Sequence, residues 1–340
     1  MTVVTYAQKA KSSNGNAARG ASMTTTEAPK LKLLVDLDHT LIHTSKGEST
    51  ETLCDDVFAI CGYRVKVRPH AKQFLESMAE RYEMTVVTLA HRLYAKEIMA
   101  KIDSELRFFD GRIIARDALT GESKIGNLKT WLPEGLSLTA IVDDNLDVWN
   151  YSENVIRAKP YVYFRNSEED DDDVLVHLER VLIEVHREFY EHFEKTGKVR
   201  SLREFIIKQR REVLNGVKVA IPGGYDGCDK DTRKSKLIAG LLNFGAEIRR
   251  DVTAETTVVL TNKPEDEMVV EAGEKNIPVV TFRWVVEAFS KWKIPEFEKF
   301  LLEKEISVEK QLDEEPDPKT ATAVIDVANL YASVVKRWQK

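Results

Sequence analysis

Asp36 and Asp38 stand two apart in VDLDHTL, directly after the apolar run Leu33-Leu34-Val35. A buried strand that ends in two carboxylates needs a cation or hydrogen bonds beside it, because desolvating an unpartnered anion is costly. Attack of Asp36 on phosphorus would turn its carboxylate into an acyl phosphate and divide one hard hydrolysis into two displacements. Asp38, on the same strand face, could protonate the leaving oxygen and later deprotonate water, help that typically contributes ~10²–10⁴-fold. The paired acids Asp143-Asp144 at the end of IVDD offer oxygen ligands for one hydrated Mg²⁺. Thr88 offers a donor to a phosphoryl oxygen, and Lys124 a point charge for the same group.

Taken singly, each piece has a plainer reading. Strand-end acids also cap the turns that follow them, and Asp143-Asp144-Asn145 would make an Asx-turn. Thr88 alone is a strand-end hydroxyl and Lys124 alone a surface charge. Their order and their common place at strand ends favour a phosphoryl-transfer site.

The elements that must position these residues form an α/β pattern. Leu33–Asp36, Met84–Thr88 and Ala140–Asp143 are the clearest strands, and each ends in a residue able to do chemistry. Ligand sites of open parallel sheets gather at the carboxyl ends of the strands. Val57–Ile60 and Tyr63–Val67 bracket Cys61-Gly62 as a short hairpin, and Ala71–Arg81 and Leu93–Ile102 have helical apolar spacing. The acidic run Glu168–Asp173 reads as a solvated linker or helix start, with a docking site as the alternative. It leads into a charged helical stretch, Val174–Val213. A second, smaller α/β pattern begins at Val217, with strands at Val217–Ile221, Val258–Thr261 and Val279-Val280 and helices at Arg233–Phe244, Asp266–Lys275 and Trp284–Trp292. The expected organisation is a tail over 1–30, a catalytic domain over 31–165, an acidic linker and helical segment over 166–213, a second domain over 214–300, and a linker with an amphipathic helix over 301–340.

The 340 residues, 43% of them hydrophobic, suffice for two cores. The formal charge of -6 excludes a global basic field that would recruit nucleic acid or an anionic membrane. Cys54, Cys61 and Cys228 form no C-x-x-C pair and suit a reducing compartment. The first thirty residues lack the apolar core of a signal peptide, and no run reaches membrane-spanning length.

With these residues in view, the chain resembles the haloacid dehalogenase superfamily, and within it the phosphatases of the RNA polymerase II carboxy-terminal repeat domain. VDLDHTLIHT resembles their D-x-D-x-T signature, RPHAKQFL their R-P-x-x-x-x-F-L helix start, and VVTLAHRLYA their T-x-G-x-R-x-Y-A segment. ARD, SKIGNLKTWLP and IVDDNLDVWNY continue the match in order, over about residues 33 to 164. Val217 to Pro295 resembles a BRCT repeat, with Trp284 in its last helix, which points to the TFIIF-associated, BRCT-containing branch. Two positions depart from the pattern: Ala90 replaces a Gly, and Asn145 stands where an Arg commonly follows the paired acids.

The resemblance implies a Rossmann-like parallel sheet with a small hairpin and no large cap, then a helical segment and a BRCT domain. It implies Asp36 as nucleophile and Asp38 as general acid/base that also gives its main-chain carbonyl to Mg²⁺. Asp36 and Asp144 would be side-chain ligands and Asp143 a supporting acid, with Thr88 and Lys124 binding phosphate. Arg68 and Arg92 fall on matching positions, where they would contact substrate or buttress the site; the plainer reading of each is a surface or inter-strand ion pair. The expected activity is Mg²⁺-dependent phosphoserine hydrolysis on the polymerase tail, in the nucleus, with transcription factor TFIIF as a candidate partner and no direct nucleic-acid or membrane contact. The alternatives are a catalytically silent transcription adaptor, or a phosphatase for another phosphoprotein or a small molecule. Only about fifty residues separate Asp38 from Thr88, which leaves no room for a large cap and suits a protein substrate. The second domain lacks the Ser or Thr and the Lys of phosphopeptide-reading BRCT repeats, with Pro222 and Met268 at those places, so a scaffolding role is expected of it.

Overall fold

The computed structural model describes residues 28–46, 56–60, 62–119, 121, 123–126, 128–164, 170–222 and 232–302. The first 27 residues, the three cysteines, the Gly-rich turn after Pro222 and the expected helix near Val324–Trp338 lie outside the described residues.

The first half of the chain forms β1 (Lys32–Val35), β2 (Ile42–Lys46), β3 (Val57–Ile60), β4 (Tyr63–Val67), α1 (Ala71–Ala79), β5 (Glu83–Val87), α2 (Arg92–Ile102), β6 (Ile113–Ile114), α3 (Leu128–Trp131), β7 (Thr139–Asp143) and β8 (Val155–Arg157). Five strands make a parallel sheet in the order β6-β5-β1-β7-β8. Leu33, Leu34 and Val35 are all buried, as an apolar run without alternation requires of a central strand covered on both faces. The register aligns Val35 with Val86 of β5 and with Val142 of β7, so the three strands end together. β2, β4 and β3 form a separate antiparallel sheet inserted between β1 and α1.

Two helices follow, α4 (Val174–Thr196) and α5 (Leu202–Glu212). The break between them falls at Gly197, whose φ of 63° closes α4 in the left-handed conformation that glycine adopts without strain. α4 buries Val174, Leu175, Leu178, Val181, Leu182, Val185 and Phe189, one helical face, and packs against α1 and α5. The second domain contains β9 (Lys218–Ala220), α6 (Thr232–Asn243), β10 (Glu247–Arg249), β11 (Val258–Leu260), α7 (Glu267–Glu274), β12 (Val279–Val280) and α8 (Phe282–Lys291). Its parallel sheet has the order β10-β9-β11-β12. Trp284 and Trp292 are buried, and the Trp284 indole donates to the Pro295 carbonyl at 3.1 Å. α8 packs on α4, so one continuous apolar core runs from the first sheet through the paired helices into the second domain. No described helix is long and apolar enough to cross a membrane.

Candidate active site

The shared end of β1, β5 and β7 gathers the sequence-predicted residues. Asp36 continues β1 by one residue, its N–H donating to the Val142 carbonyl of β7 at 3.0 Å. Beyond Leu37 the backbone turns sharply: His39 adopts φ of 62°, and the amides of Leu41 and Ile42 both donate to the Leu37 carbonyl. Thr88 follows β5, and Asp143-Asp144 close β7. Lys124 comes from the segment before α3 and is held there by its own amide, which donates to the Val148 carbonyl at 2.8 Å.

Lys124 occupies the centre. Its Nζ lies 2.6 Å from Asp36 Oδ1 and 2.6 Å from Asp143 Oδ2, all three side chains being buried. Burial opposes the charge on the ammonium, but Asp143 and Asp36 together overcome it and raise its pKa, so Lys124 remains a cation. Asp143 also accepts from the Trp149 indole at 2.7 Å and from the Asn145 amide at 2.8 Å. Both of its oxygens are therefore engaged by protein donors.

The remaining acids are under-compensated. Burial pushes the Asp36 carboxyl well above its ordinary range, with Asp143 and Asp144 adding to the rise despite Lys124. Asp144 is raised to about 6, first by burial and then by Asp143. Its side chain receives a long contact from the Thr40 hydroxyl, 3.5 Å, and makes no ion pair among the described residues, while the Arg157 Nε donates to its backbone carbonyl at 2.9 Å. Asp38 is raised by burial, while the Tyr94 hydroxyl, donating to Oδ1 at 2.9 Å, pulls the other way. Oxygens of Asp36, Asp143 and Asp144 lie within 4.8 Å of one another. With one ammonium among these carboxylates, the cluster has the donor set and the charge deficit that suit a hard divalent cation.

Asp36, Asp38, Thr88, Lys124, Asp143 and Asp144 line one cleft of about 530 Å³. Its walls add Tyr63 and Thr44 from the small sheet, Tyr94 from α2, His39, and the exposed Arg116. Tyr63 and Tyr94 meet edge to face, with centroids 6.0 Å apart. Arg116 is anchored at the rim by its Nε, which donates to the Leu89 carbonyl at 2.5 Å.

Arg68 and Arg92 do not line the cleft. Arg68 is buried and forks onto Asp172 at 2.7 and 2.9 Å. Arg92 pairs with Asp117 on the surface at 2.8 Å. Arg68 thus makes a buried ion pair and Arg92 a surface one, and the arginine at the rim of the cleft is Arg116. Sequence reasoning missed Arg116, Tyr94, Tyr63 and His39. Two of these stand in segments that carry the family resemblance, Tyr94 in VVTLAHRLYA and Arg116 in ARD, and Tyr94 also lies on the first turn of the helix that follows the strand carrying Thr88.

Residues 31–193 match the family of NLI interacting factor-like phosphatases, and residues 209–289 match the BRCA1 C Terminus (BRCT) domain. The chain is 35% identical over 305 residues to the RNA polymerase II C-terminal domain phosphatase of Caenorhabditis elegans, an alignment that covers 81% of this chain and 46% of that protein. It is 41% identical over 145 residues to the protein of the same description from Homo sapiens, covering 41% of this chain and 15% of that one. The chain therefore spans less than half the length of either relative. Among solved structures it is similar to a variant of the fission yeast RNA polymerase II CTD phosphatase Fcp1 bound to beryllium fluoride. That match has a TM-score of 0.61 and 25% identity, and covers 80% of this chain and 96% of that chain.

Proposed function

Because this chain belongs to the Fcp1-like family of RNA polymerase II CTD phosphatases, we propose that it hydrolyses phosphoserine in the polymerase's C-terminal repeats, in the nucleus, through a covalent phosphoryl-aspartate. The observation that carries this reading is the meeting of Asp36, Asp38, Thr88 and Lys124 in one cleft, beside the under-compensated Asp144.

Asp36 is the nucleophile. Its oxygen attacks phosphorus as the P–O bond to the serine oxygen breaks, and Asp38 hands its proton to that oxygen. Water then attacks phosphorus, Asp38 takes the water's proton, and the bond to Asp36 breaks to release phosphate and restore both carboxyls. Burial keeps Asp38 protonated to higher pH than an exposed carboxyl, which suits an acid in the first step. Lys124 and Thr88 stabilise the phosphoryl oxygens, and Asp143, with Trp149 and Asn145, fixes Lys124 in place. Asp36 and Asp144, with the Asp38 carbonyl, would hold Mg²⁺, while Asp143 supports them from behind Lys124. When bound, the ion offsets charge on the carboxylates and the phosphoryl group.

The size of the insertions supports a protein substrate. The described elements inserted between β1 and β5 are the three-stranded sheet and α1, and those between β5 and β7 are α2, β6 and α3, none of them a domain-sized cap. An extended phosphopeptide with Tyr63 and Tyr94 beside it and Arg116 at the rim fits such a cleft. Transcription factor TFIIF is the partner that the family resemblance adds to this reading.

Hydrolysis of para-nitrophenyl phosphate, of phosphorylated repeat peptides and of sugar phosphates, with and without Mg²⁺, tests the reading. Turnover should require the cation, disappear in Asp36→Asn, fall by ~10²–10⁴-fold in Asp38→Asn, and favour the repeat peptides. Activity that survives chelation or both substitutions would overturn the mechanism, and equal use of sugar phosphates would overturn the substrate assignment.

A further inference from the structure

Arg68 lies at the end of β4, outside the cleft, and it is 1% exposed. A buried guanidinium persists only where its N–H groups meet acceptors. Nε and Nη2 donate to the two oxygens of Asp172, Nη1 donates to the Thr40 carbonyl at 3.1 Å, and the guanidinium stacks 5.3 Å from the Tyr161 ring centroid. Thr40, itself fully buried, turns its hydroxyl to Asp144, accepting from the Asp144 amide at 3.1 Å and donating to Asp144 Oδ1 at 3.5 Å. Arg68 thus fixes the backbone of the residue whose side chain holds Asp144.

The far end of this chain of contacts is in the second domain. Asp172 Oδ1 accepts from the Val174 amide at the start of α4, which ties it to the helix. The next residue, Asp173, pairs with Lys291 of α8 at 2.6 Å and with His177 of α4 at 3.1 Å. Adjacent acids on one short segment therefore grip the two domains. An unanchored linker would leave these carboxylates in water. Asp170 is engaged too, accepting from the Tyr161 hydroxyl and pairing with Lys66 at 3.6 Å.

We propose that Asp170–Asp173 is a strap, that Asp172 and Arg68 are positioning residues for Asp144, and that the second domain sets the strap through Lys291. The proposal rests on the reading of Asp144 as a metal ligand. It assigns the second domain a role in divalent-cation binding that requires no contact between that domain and the cleft. Outer partners of ligating carboxylates commonly govern metal affinity in this way.

The test is Mg²⁺ binding by the full chain, measured by calorimetry and by the Mg²⁺-induced rise in melting temperature, with turnover as a third readout. Asp172→Asn should weaken binding by roughly 10- to 100-fold. Lys291→Met breaks two partly exposed pairs, with Asp173 and with Glu287 of its own helix, and should weaken it by about two- to five-fold, with kcat recovering at saturating Mg²⁺. Lys299→Met removes another ion pair of the second domain, with Glu296, and should bind as wild type. Because Asp172→Asn strips the buried Arg68 guanidinium of its charge partner and risks misfolding, Lys291→Met decides. Wild-type Mg²⁺ affinity in folded Lys291→Met, with binding lost in Asp144→Asn, overturns the strap and leaves the metal-site reading standing. Wild-type affinity in Asp144→Asn overturns that reading and the strap with it.

Discussion

The Tyr94 hydroxyl donates to Asp38 Oδ1 at 2.9 Å. Burial raises the Asp38 pKa and this hydrogen bond is the largest influence that lowers it, because it stabilises the carboxylate. Tyr94 itself is pushed upward, first by burial and then by Asp38, so its proton stays in place across the working range. Removing the hydroxyl should therefore raise the Asp38 pKa further, and the protonated acid should persist to higher pH. In Tyr94→Phe we expect the alkaline limb of kcat/KM for a phosphoserine peptide to move upward relative to wild type. A downward move, or identical pH profiles, would contradict Asp38 as the acid that protonates the serine oxygen.

Arg116 is exposed at the rim, and its anchoring to the Leu89 carbonyl keeps the guanidinium beside the cleft. An exposed cation contributes modestly, so Arg116→Ala should raise KM for a phosphorylated repeat peptide by about two- to five-fold. Turnover of para-nitrophenyl phosphate, which has no flanking chain, should change little. Equal losses on both substrates would place Arg116 at the phosphoryl group instead of along the peptide.

Asp144 must lose its proton to bind a cation, and its pKa in the folded protein is raised to about 6. Apparent Mg²⁺ affinity should be flat above pH 7 and fall by about tenfold per pH unit well below 6, one proton competing with one ion. The sign for stability is the opposite. A carboxyl whose folded pKa exceeds its unfolded value binds more protons when folded, so its contribution is complete below the unfolded value and is lost as pH rises through about 6. Metal-free protein should thus gain stability between pH 7 and 5 relative to Asp144→Asn, and Mg²⁺ should protect most at pH 7. Melting curves at the two pH values, with and without Mg²⁺, measure both effects.

The sequence revealed strands where apolar residues run unbroken, as in Leu33-Leu34-Val35 and Ile141-Val142, and hence the edge where Asp36 and Asp143 sit. It concealed β6, which has only two residues, and β2, β8 and β10, which have three to five residues each and carry polar side chains among the apolar ones. Arg68 shows the deeper limit. Its partner Asp172 is 104 residues away, inside an acidic run whose local pattern resembles a solvated linker. Spacing shows which residues share a face; it does not show which distant segment folds back to meet them. Tyr94 and Arg116 stand in segments that match the family, yet their places beside Asp38 and at the rim emerge only when three strand ends converge next to them.

The junction between α5 and the second domain depends on a glycine. Gly245 has φ of 95°, and a Cβ built there would lie 1.8 Å from the Arg211 carbonyl oxygen. The neighbouring Leu214 amide donates to the Phe244 carbonyl at 2.8 Å, which draws the end of α5 against the turn after α6. The Arg211 carbonyl and the Asn215 nitrogen, 3.3 Å from the added Cβ, are both backbone groups, so no side-chain rotation relieves the overlap. Gly216 supplies the control, with φ of 81° and nothing within 4 Å of an added Cβ. Gly216→Ala should cost only the left-handed backbone strain, about 1–2 kcal/mol. Gly245→Ala must add displacement of α5 or of the turn, and should melt several degrees below Gly216→Ala or fail to accumulate as soluble protein. Because α5 packs on α4, and α4 follows directly from the strap, Mg²⁺ affinity should fall in Gly245→Ala and hold in Gly216→Ala. Identical melting of the two variants would mean that the close approach between Gly245 and Arg211 does not secure the junction.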